Sequence, residues 1–257
     1  MRTLGLDIST RTGWAFMAPF QVLASGLLVS KVDGDFTSAE YPYNYLDMAQ
    51  FQAKQILQLI EKLDPEVIII EETNKGRNRY SQKQLEFIHF AVAEAIRHHI
   101  KDGIRKLVYI DTSKWRSLLE IEMSKEDRDR NHQRAHQRKG FKDSVEEEVR
   151  ACFDPEMQEE IDAIDSKRLK KKVAKTYEGI ISGIVDEAAG KFRARIDGKM
   201  VKHRNKKDVT VELVNSIFQQ KFKGRDHDIC DSVCLCLGYY ELVGVPNAWR
   251  TTIHTRS

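Results

Sequence analysis

The sequence predicts an α/β protein: a mixed five-stranded sheet flanked by helices, with a charged helical insertion and a basic hairpin. Three observations carry this. Residues 2–30 hold three strand-like runs separated by tight turns, the pattern of an antiparallel meander. Helix and strand periodicities then alternate as far as residue 119, which calls for βαβ crossovers and parallel strands. Between about 120 and 205 apolar residues thin out and both signs of charge take over. One domain over residues 1–257 is expected, carrying that stretch as an insertion.

Each element has a local cause. Residues 2–8 read as a buried strand and Ser9–Gly13 as a turn. Trp14–Met17 and Gln21–Ser30 supply the next two strands. Leu46, Phe51, Ile56, Leu57 and Ile60 form a helical stripe over residues 43–63. Asp64-Pro65 ends it, because proline disfavours helical geometry in the residue before it. The aliphatic run Val67–Ile70 is a strand leading straight into Glu71-Glu72. Ser81 and Gln84 fit a capping box that opens a helix with Leu85, Ile88, Val92 and Ile96 on one side. That stripe serves either as core or as an interface with a second copy. Lys106–Asp111 is a strand and Ser113–Leu119 a short helix, and two helices, Asp208–Phe222 and His227–Val243, close the chain.

Composition narrows the function classes. The 257 residues carry 42 Lys and Arg against 39 Asp and Glu, a net charge of only +3. No apolar run approaches the roughly 18 residues of a membrane span, and the N-terminus lacks the apolar segment of a signal peptide. A cytoplasmic protein with no membrane partner is expected. Four cysteines do not make a disulfide framework. Cys230, Cys234 and Cys236 cluster without the further ligands of a zinc site, so they read as small residues on a packing face.

Carboxylates stand where apolar elements end or turn. Asp7 lies at the first turn, Glu71 at the end of the aliphatic strand, and Asp228 and Asp231 three apart at the start of the last helix, on one face. Sites in open α/β sheets form beyond strand carboxyl ends. Acids converging there repel one another, and hard divalent cations such as Mg²⁺ relieve that with oxygen ligation. Two such ions can activate a water and stabilise the leaving oxygen of a phosphodiester.

Positive charge is segregated as well. Lys191, Arg193, Arg195, Lys199, Lys202, Arg204, Lys206 and Lys207 crowd one stretch in which Asp197 is the only acid. Asp197-Gly198 is a two-residue hairpin signal, and Phe192, Ala194 and Ile196 alternate with Arg193 and Arg195 as in a half-buried strand. Such a hairpin would hold phosphates, which position a duplex without reading its sequence. Lys75, Arg77, Arg79 and Lys83 form a second patch after Glu71, with Asn78 among them. One of Lys206 and Lys207 is expected near the acids to stabilise phosphate charge. His227 is a third candidate for that role, or a helix cap. The basic run Gln133–Lys139 is flanked by acids and reads as a solvated helix.

These residues carry a family resemblance. Leu4-Gly5-Leu6-Asp7-Ile8-Ser9 with Gly13, then Ile69-Ile70-Glu71-Glu72, then Asp228-Ile229-Cys230-Asp231-Ser232 resemble the RuvC family of Holliday junction resolvases, which has an RNase H-like fold. Gly76-Arg77-Asn78, Ser81-Gln82-Lys83, Tyr109–Arg116 and the helix from Lys206-Lys207 to Val214-Asn215 resemble its phage-type branch. The likeness covers residues 1–120 and 200–243. Where cellular members carry an aromatic after the second acid, Thr73-Asn74-Lys75 stands here.

The resemblance implies a Mg²⁺-dependent crossover junction endonuclease of DNA recombination and repair, with Mn²⁺ able to substitute. It implies a homodimer acting on four-way and other branched DNA, phage-encoded and working in a bacterial host. Asp7 would bridge two ions, with Glu71 and the Asp228/Asp231 pair each fixing one. Three alternatives stand beside it; the presence of all four acids argues against a non-catalytic junction-binding protein, which leaves two. One is an RNase H-fold nuclease acting on other structured nucleic acid. The other is an actin-like ATPase, which would need a second Asp-Gly-Gly phosphate loop and a Gly-rich adenosine motif that the chain lacks.

Overall fold

The computed structural model describes residues 1–30, 40–72, 79–99 and 106–245, Arg79 by its backbone alone. The chain divides into two compact units: residues 1–122 with 205–257, and residues 123–204.

The first unit is built on one five-stranded sheet. Its strands are β1 (Thr3–Asp7), β2 (Arg11–Ala18), β3 (Gln21–Val29), β4 (Val67–Glu71) and β5 (Lys106–Ile110), in the order β3-β2-β1-β4-β5. The meander β1-β2-β3 is antiparallel, while β4 runs parallel to β1 and β5 parallel to β4. The expected mixed five-stranded α/β sheet flanked by helices is therefore present.

Both faces of the sheet are covered, which explains why Val67–Ile70 is apolar without alternation. Ile68 and Ile70 join Leu4, Leu6 and Phe16 under α1 (Tyr43–Leu63) and α2 (Arg79–His99). Val67 and Ile69 join Ala15, Met17 and Trp115 on the other face. That face packs against α3 (Thr112–Leu118), α6 (Lys206–Phe218) and α7 (His227–Leu242). Each fully buried aliphatic side chain contributes about 1.5–3 kcal/mol.

Close approach of α7 to the sheet depends on two glycines. A Cβ on Gly5 would lie 2.5 Å from the Ser232 carbonyl oxygen and 2.7 Å from Cys236 Sγ. A Cβ on Gly13 would lie 2.0 Å from the carbonyl oxygen of Asp228. Cys230, Cys234 and Cys236 are buried free thiols on this helix. Burial pushes the Cys230 and Cys236 thiols up to about 12. They act as the small packing residues expected.

Some expected boundaries and faces move. The strand β2 starts at Arg11, not Trp14. The turn needs only Ile8–Thr10, because Ser9 Oγ accepts from Arg11 N (3.1 Å) and Thr12 Oγ1 from Ser9 N (3.2 Å). The helix α2 begins at Arg79, ahead of the Ser81 capping box. Its stripe is core: Ile88, Val92 and Ile96 are fully buried against the sheet and α1, so they are closed to a second copy. The α1 stripe also turns: Ala49, Ala53, Ile56, Leu59 and Ile60 are buried, while Leu46 is exposed.

The second unit pairs two long helices, α4 (Lys125–Asp162) and α5 (Lys167–Lys191), followed by a small hairpin of β6 (Arg195–Ile196) and β7 (Lys199–Met200). On α4 the only buried residue is Asp127. Its partner α5 buries Ile181, Val185 and Ala189, and ion pairs add to the contact. Arg150 donates to both oxygens of Glu178 (3.0 and 2.9 Å), and Lys142 Nζ donates to Asp186 (2.6 Å). Tyr177 donates to Glu160 (2.8 Å), and Phe141 stacks on Phe192 at 5.0 Å. The hairpin turns at Asp197-Gly198, both with positive φ (51° and 76°), as its two-residue signal demands. Two amide side chains of α4 fasten it. Asn131 accepts from Arg204 N (3.0 Å) and donates to Arg204 O (2.5 Å), while Gln137 does the same at Arg195 (3.3 and 2.9 Å).

Candidate active site

The first unit brings the four predicted acids together. Asp7 ends β1 and faces Gly13 across the β1–β2 register. Gly13 lies directly beneath the backbone of Asp228, so the absence of its side chain lets the first turn of α7 reach Asp7. Ser232 fixes that contact: its Oγ accepts from Asp7 N (3.3 Å) and donates to Asp228 O (2.9 Å). Glu71 ends β4, the parallel neighbour of β1. Asp228 and Asp231 then present both carboxylates from one face of α7.

These acids are held at an electrostatic cost. Burial pushes the Asp7 carboxyl well above the usual carboxylate range, and the charges of Glu71, Asp231 and Asp228 push it further. Glu71 is also raised, chiefly by burial, although Thr112 donates a hydrogen bond to it. Asp231 is raised by burial against the opposing pull of Lys207, Arg116 and His227. Its side chain is 3% exposed, and among the described residues its Oδ1 has no hydrogen-bond partner. A buried, orphaned carboxylate oxygen among other acids is costly to maintain.

Cations sit against this nest. Lys207 Nζ lies 3.6 Å from Asp228 Oδ1 and 3.8 Å from Asp231 Oδ2. Arg116 lies 3.9 Å from Asp231 Oδ2, stacked on Trp115 at 4.8 Å, with a buried Nε that has no hydrogen-bond partner among the described residues. Of the two lysines proposed from sequence, Lys207 is the one at the acids; Lys206 is exposed. His227 bridges the Gly224 carbonyl and Asp228 Oδ1, each at 2.8 Å, so it braces the acid from outside.

Two residues of this site were not singled out as functional by sequence reasoning. Arg116 sits in a short helix that reads as surface, and Thr112 sits at its start. The available signal was position: both directly follow β5, whose end neighbours Glu71.

An all-carboxylate, hard-oxygen donor set suits Mg²⁺, and the orphaned Asp231 Oδ1 is a free ligand atom. Among the described residues no group of three His, Cys, Asp or Glu side chains stands ready to hold an ion. Lys207, Arg116 and Thr112 engage the carboxylates instead.

The other predicted positions scatter. Lys75, Arg77 and Asn78 lie outside the described residues, as does the side chain of Arg79. Lys83 lies over the Tyr41 ring at 5.5 Å. Arg193, Arg195, Lys199, Lys202 and Arg204 belong to the second unit. There Arg193 turns back onto the carbonyls of Gly190 and Phe192, both at 3.0 Å, at the end of α5. Arg204 pairs with Asp127 at 3.3 Å. Arg195, Lys199 and Lys202 are exposed. No helix among the described residues is long and apolar enough to cross a membrane.

No protein-family model matches the sequence, and no curated protein matches it either. Solved structures do. RuvC of T. thermophilus in complex with a Holliday junction substrate is 16% identical over 46% of this chain and 69% of its own, with a TM-score of 0.37. A second Thermus thermophilus RuvC structure is 17% identical over 49% of this chain and 74% of its own, with a TM-score of 0.37. The yeast mitochondrial Holliday junction resolvase Ydc2 is 10% identical over 100% of this chain and 81% of its own, with a TM-score of 0.42. At these levels the likenesses carry no functional argument, which has to come from the site's own geometry.

Proposed function

We propose that this chain is a Mg²⁺-dependent, structure-selective endonuclease of the RuvC type, of the phage-type branch, that cuts four-way and other branched DNA. The observation that carries the reading is the convergence of Asp7, Glu71, Asp228 and Asp231 with Lys207 and Arg116 set against them. Three of these acids, Asp7, Glu71 and Asp231, are raised by burial and by neighbouring acids, and they serve no structural purpose that an apolar core would not serve better. They suit cations that a phosphate substrate also needs.

Asp7 and Glu71 would hold metal from the sheet, and Asp228 and Asp231 from α7. Two Mg²⁺ or Mn²⁺ ions held by these carboxylates would supply activation of a water and stabilisation of charge on the leaving oxygen. The chain's own residues do the rest. Thr112 orients Glu71. His227 orients Asp228. Lys207 and Arg116 are drawn from the carboxylates toward the scissile phosphate and carry its charge there. Gly5, Gly13 and Ser232 fix the distance between the two sources of ligands.

A four-way junction needs two symmetric cuts, and an isologous homodimer matches that two-fold substrate. With the α2 stripe buried, we assign the second copy to the apolar groove between α1 and α2. Leu57, Phe87 and Phe90 line it, and Phe90 is 72% exposed.

The test is a substrate panel of four-way junction, flap, linear duplex and structured RNA in Mg²⁺, with Ca²⁺ as control. Selective junction cleavage supports the reading. Preference for flap or RNA replaces it with the second reading, a nuclease of the same fold acting on other structures.

A further inference from the structure

The second unit contains a pocket that the endonuclease reading does not use. It lies between the first turns of α4 and the β6–β7 hairpin, with a volume of about 610 Å³. Its walls are held by the Asn131 and Gln137 clamps on the hairpin backbone and by Val201 N donating to Ala194 O at 2.9 Å. The pocket is thus built by hydrogen bonds on both sides of the hairpin.

Its chemistry is mixed. Arg204 is paired with Asp127, and Arg130 with Glu126. Lys199 and Lys202 are exposed at the rim and make no ion pair among the described residues. Between them stands Met200, 66% exposed, an apolar side chain among charged neighbours. With Ile196 and Val201 it gives the pocket an apolar wall.

We infer that this pocket is a subsite for one unpaired nucleotide of a nucleic-acid strand, an inference that rests on the proposed function. A phosphate alone would satisfy Lys199 and Lys202 but leave the apolar wall unused. A duplex offers phosphates but keeps its base faces stacked. A nucleotide out of the stack presents both, a flat apolar face and a phosphate on either side. A volume of this order is typical of small-ligand pockets. The Asn131 amide is wholly engaged with the Arg204 backbone, and Asp127 with Ser124 and Arg204. Asp197 and Arg130 also line the pocket, so polar groups remain for a base edge. Met200 serves as its apolar lid, as exposed methionines do when they wedge into base steps.

The experiment uses the full chain in Ca²⁺ and short oligo(dT), a linear duplex, and a four-way junction carrying 2-aminopurine beside the branch. Met200→Ser and the pair Lys199→Gln, Lys202→Gln are exposed changes, and equal melting curves confirm folding. The expected result is a 2-aminopurine fluorescence rise on wild-type binding that Met200→Ser abolishes. Affinity of the lysine pair for oligo(dT) should fall about 10-fold, on the order of one stacked base with its phosphates. Affinity for duplex should change less than about 3-fold. If wild type binds junction but the variants match it in fluorescence and oligo(dT) affinity, the subsite is refuted and the endonuclease reading stands. If free dTMP saturates the pocket as tightly as oligo(dT), it is a mononucleotide site and the strand assignment falls. If wild type binds no DNA, both readings fall.

Discussion

The two compact units use charge in opposite ways. In residues 123–204 exposed ion pairs tie one element to another: Arg150 to Glu178, Lys142 to Asp186, Arg204 to Asp127. These pairs supplement the burial of Ile181, Val185 and Ala189 on α5, and each exposed one contributes little, about 0–1 kcal/mol. In the sheet-bearing unit the apolar core is ample, and the charges within it are left in conflict. Asp7, Glu71 and Asp231 are raised by burial, and Asp231 Oδ1 has no hydrogen-bond partner among the described residues. Paired exposed charge belongs to a scaffold; buried acids in mutual conflict mark a candidate functional site.

Breaking the conflict should have the largest effect. Asp7→Asn should lower junction cleavage about 10³-fold, the scale of removing several kcal/mol of transition-state stabilisation, measured by single-turnover kinetics. The same change should stabilise the metal-free chain. Asp7 has a folded-state pKa above its unfolded value, so it binds its proton more tightly when folded. Its contribution to stability is full below the unfolded pKa and is lost as pH rises through the folded one. Near neutral pH, Asp7→Asn should therefore melt higher than wild type by about 2–4 °C, equivalent to about 1 kcal/mol in a chain of this size. At pH 3 the two should converge. A lower melting temperature for the variant at both pH values would contradict the account.

Arg116→Gln should come next, with cleavage down about 10²-fold and junction affinity nearly unchanged, separating a role at the reacting phosphate from general DNA attraction. Gly13→Ala tests how the site is built. Its Cβ has no room against Asp228, so stability should fall by about 1–3 kcal/mol in urea unfolding, with metal affinity falling too. Phe90→Glu should leave the fold intact and halve the mass seen in solution. A wild-type monomer, or a variant that still dimerises, removes the groove from the account. The smallest effect belongs to the second unit. Gln137→Ala should cost about 1 kcal/mol without changing cleavage of a saturating junction.

Much of the fold was legible where local signals agreed. The helix α1 matches its sequence bounds, because the turn residues Asp64-Pro65 end a long helical pattern. Glu71 was legible because an all-aliphatic strand has to stop at its first charge. The hairpin was legible from Asp197-Gly198. What escaped depends on tertiary contact. The stripe on α2 looked equally suited to core or interface, and only the sheet beneath it decides. Arg116 lies within the Tyr109–Arg116 stretch that carries the resemblance but was given no role there; its candidacy comes from its half-buried place beside Asp231 and its stacking on Trp115. The long helices α4 and α5 gave composition but no pairing, since ion pairs between them leave no periodic trace. The near-neutral sum of +3 likewise hid acids gathered in one unit and bases in the hairpin of the other.

The central claim is that the four converging acids form a metal-dependent phosphodiesterase site. It is tested most directly by incubating wild type, Asp7→Asn and Asp231→Asn with a labelled four-way junction in Mg²⁺. The account predicts paired symmetric cuts leaving 5′-phosphate ends with wild type, none in Ca²⁺, and essentially none with either variant. Near-normal turnover by both variants would contradict it.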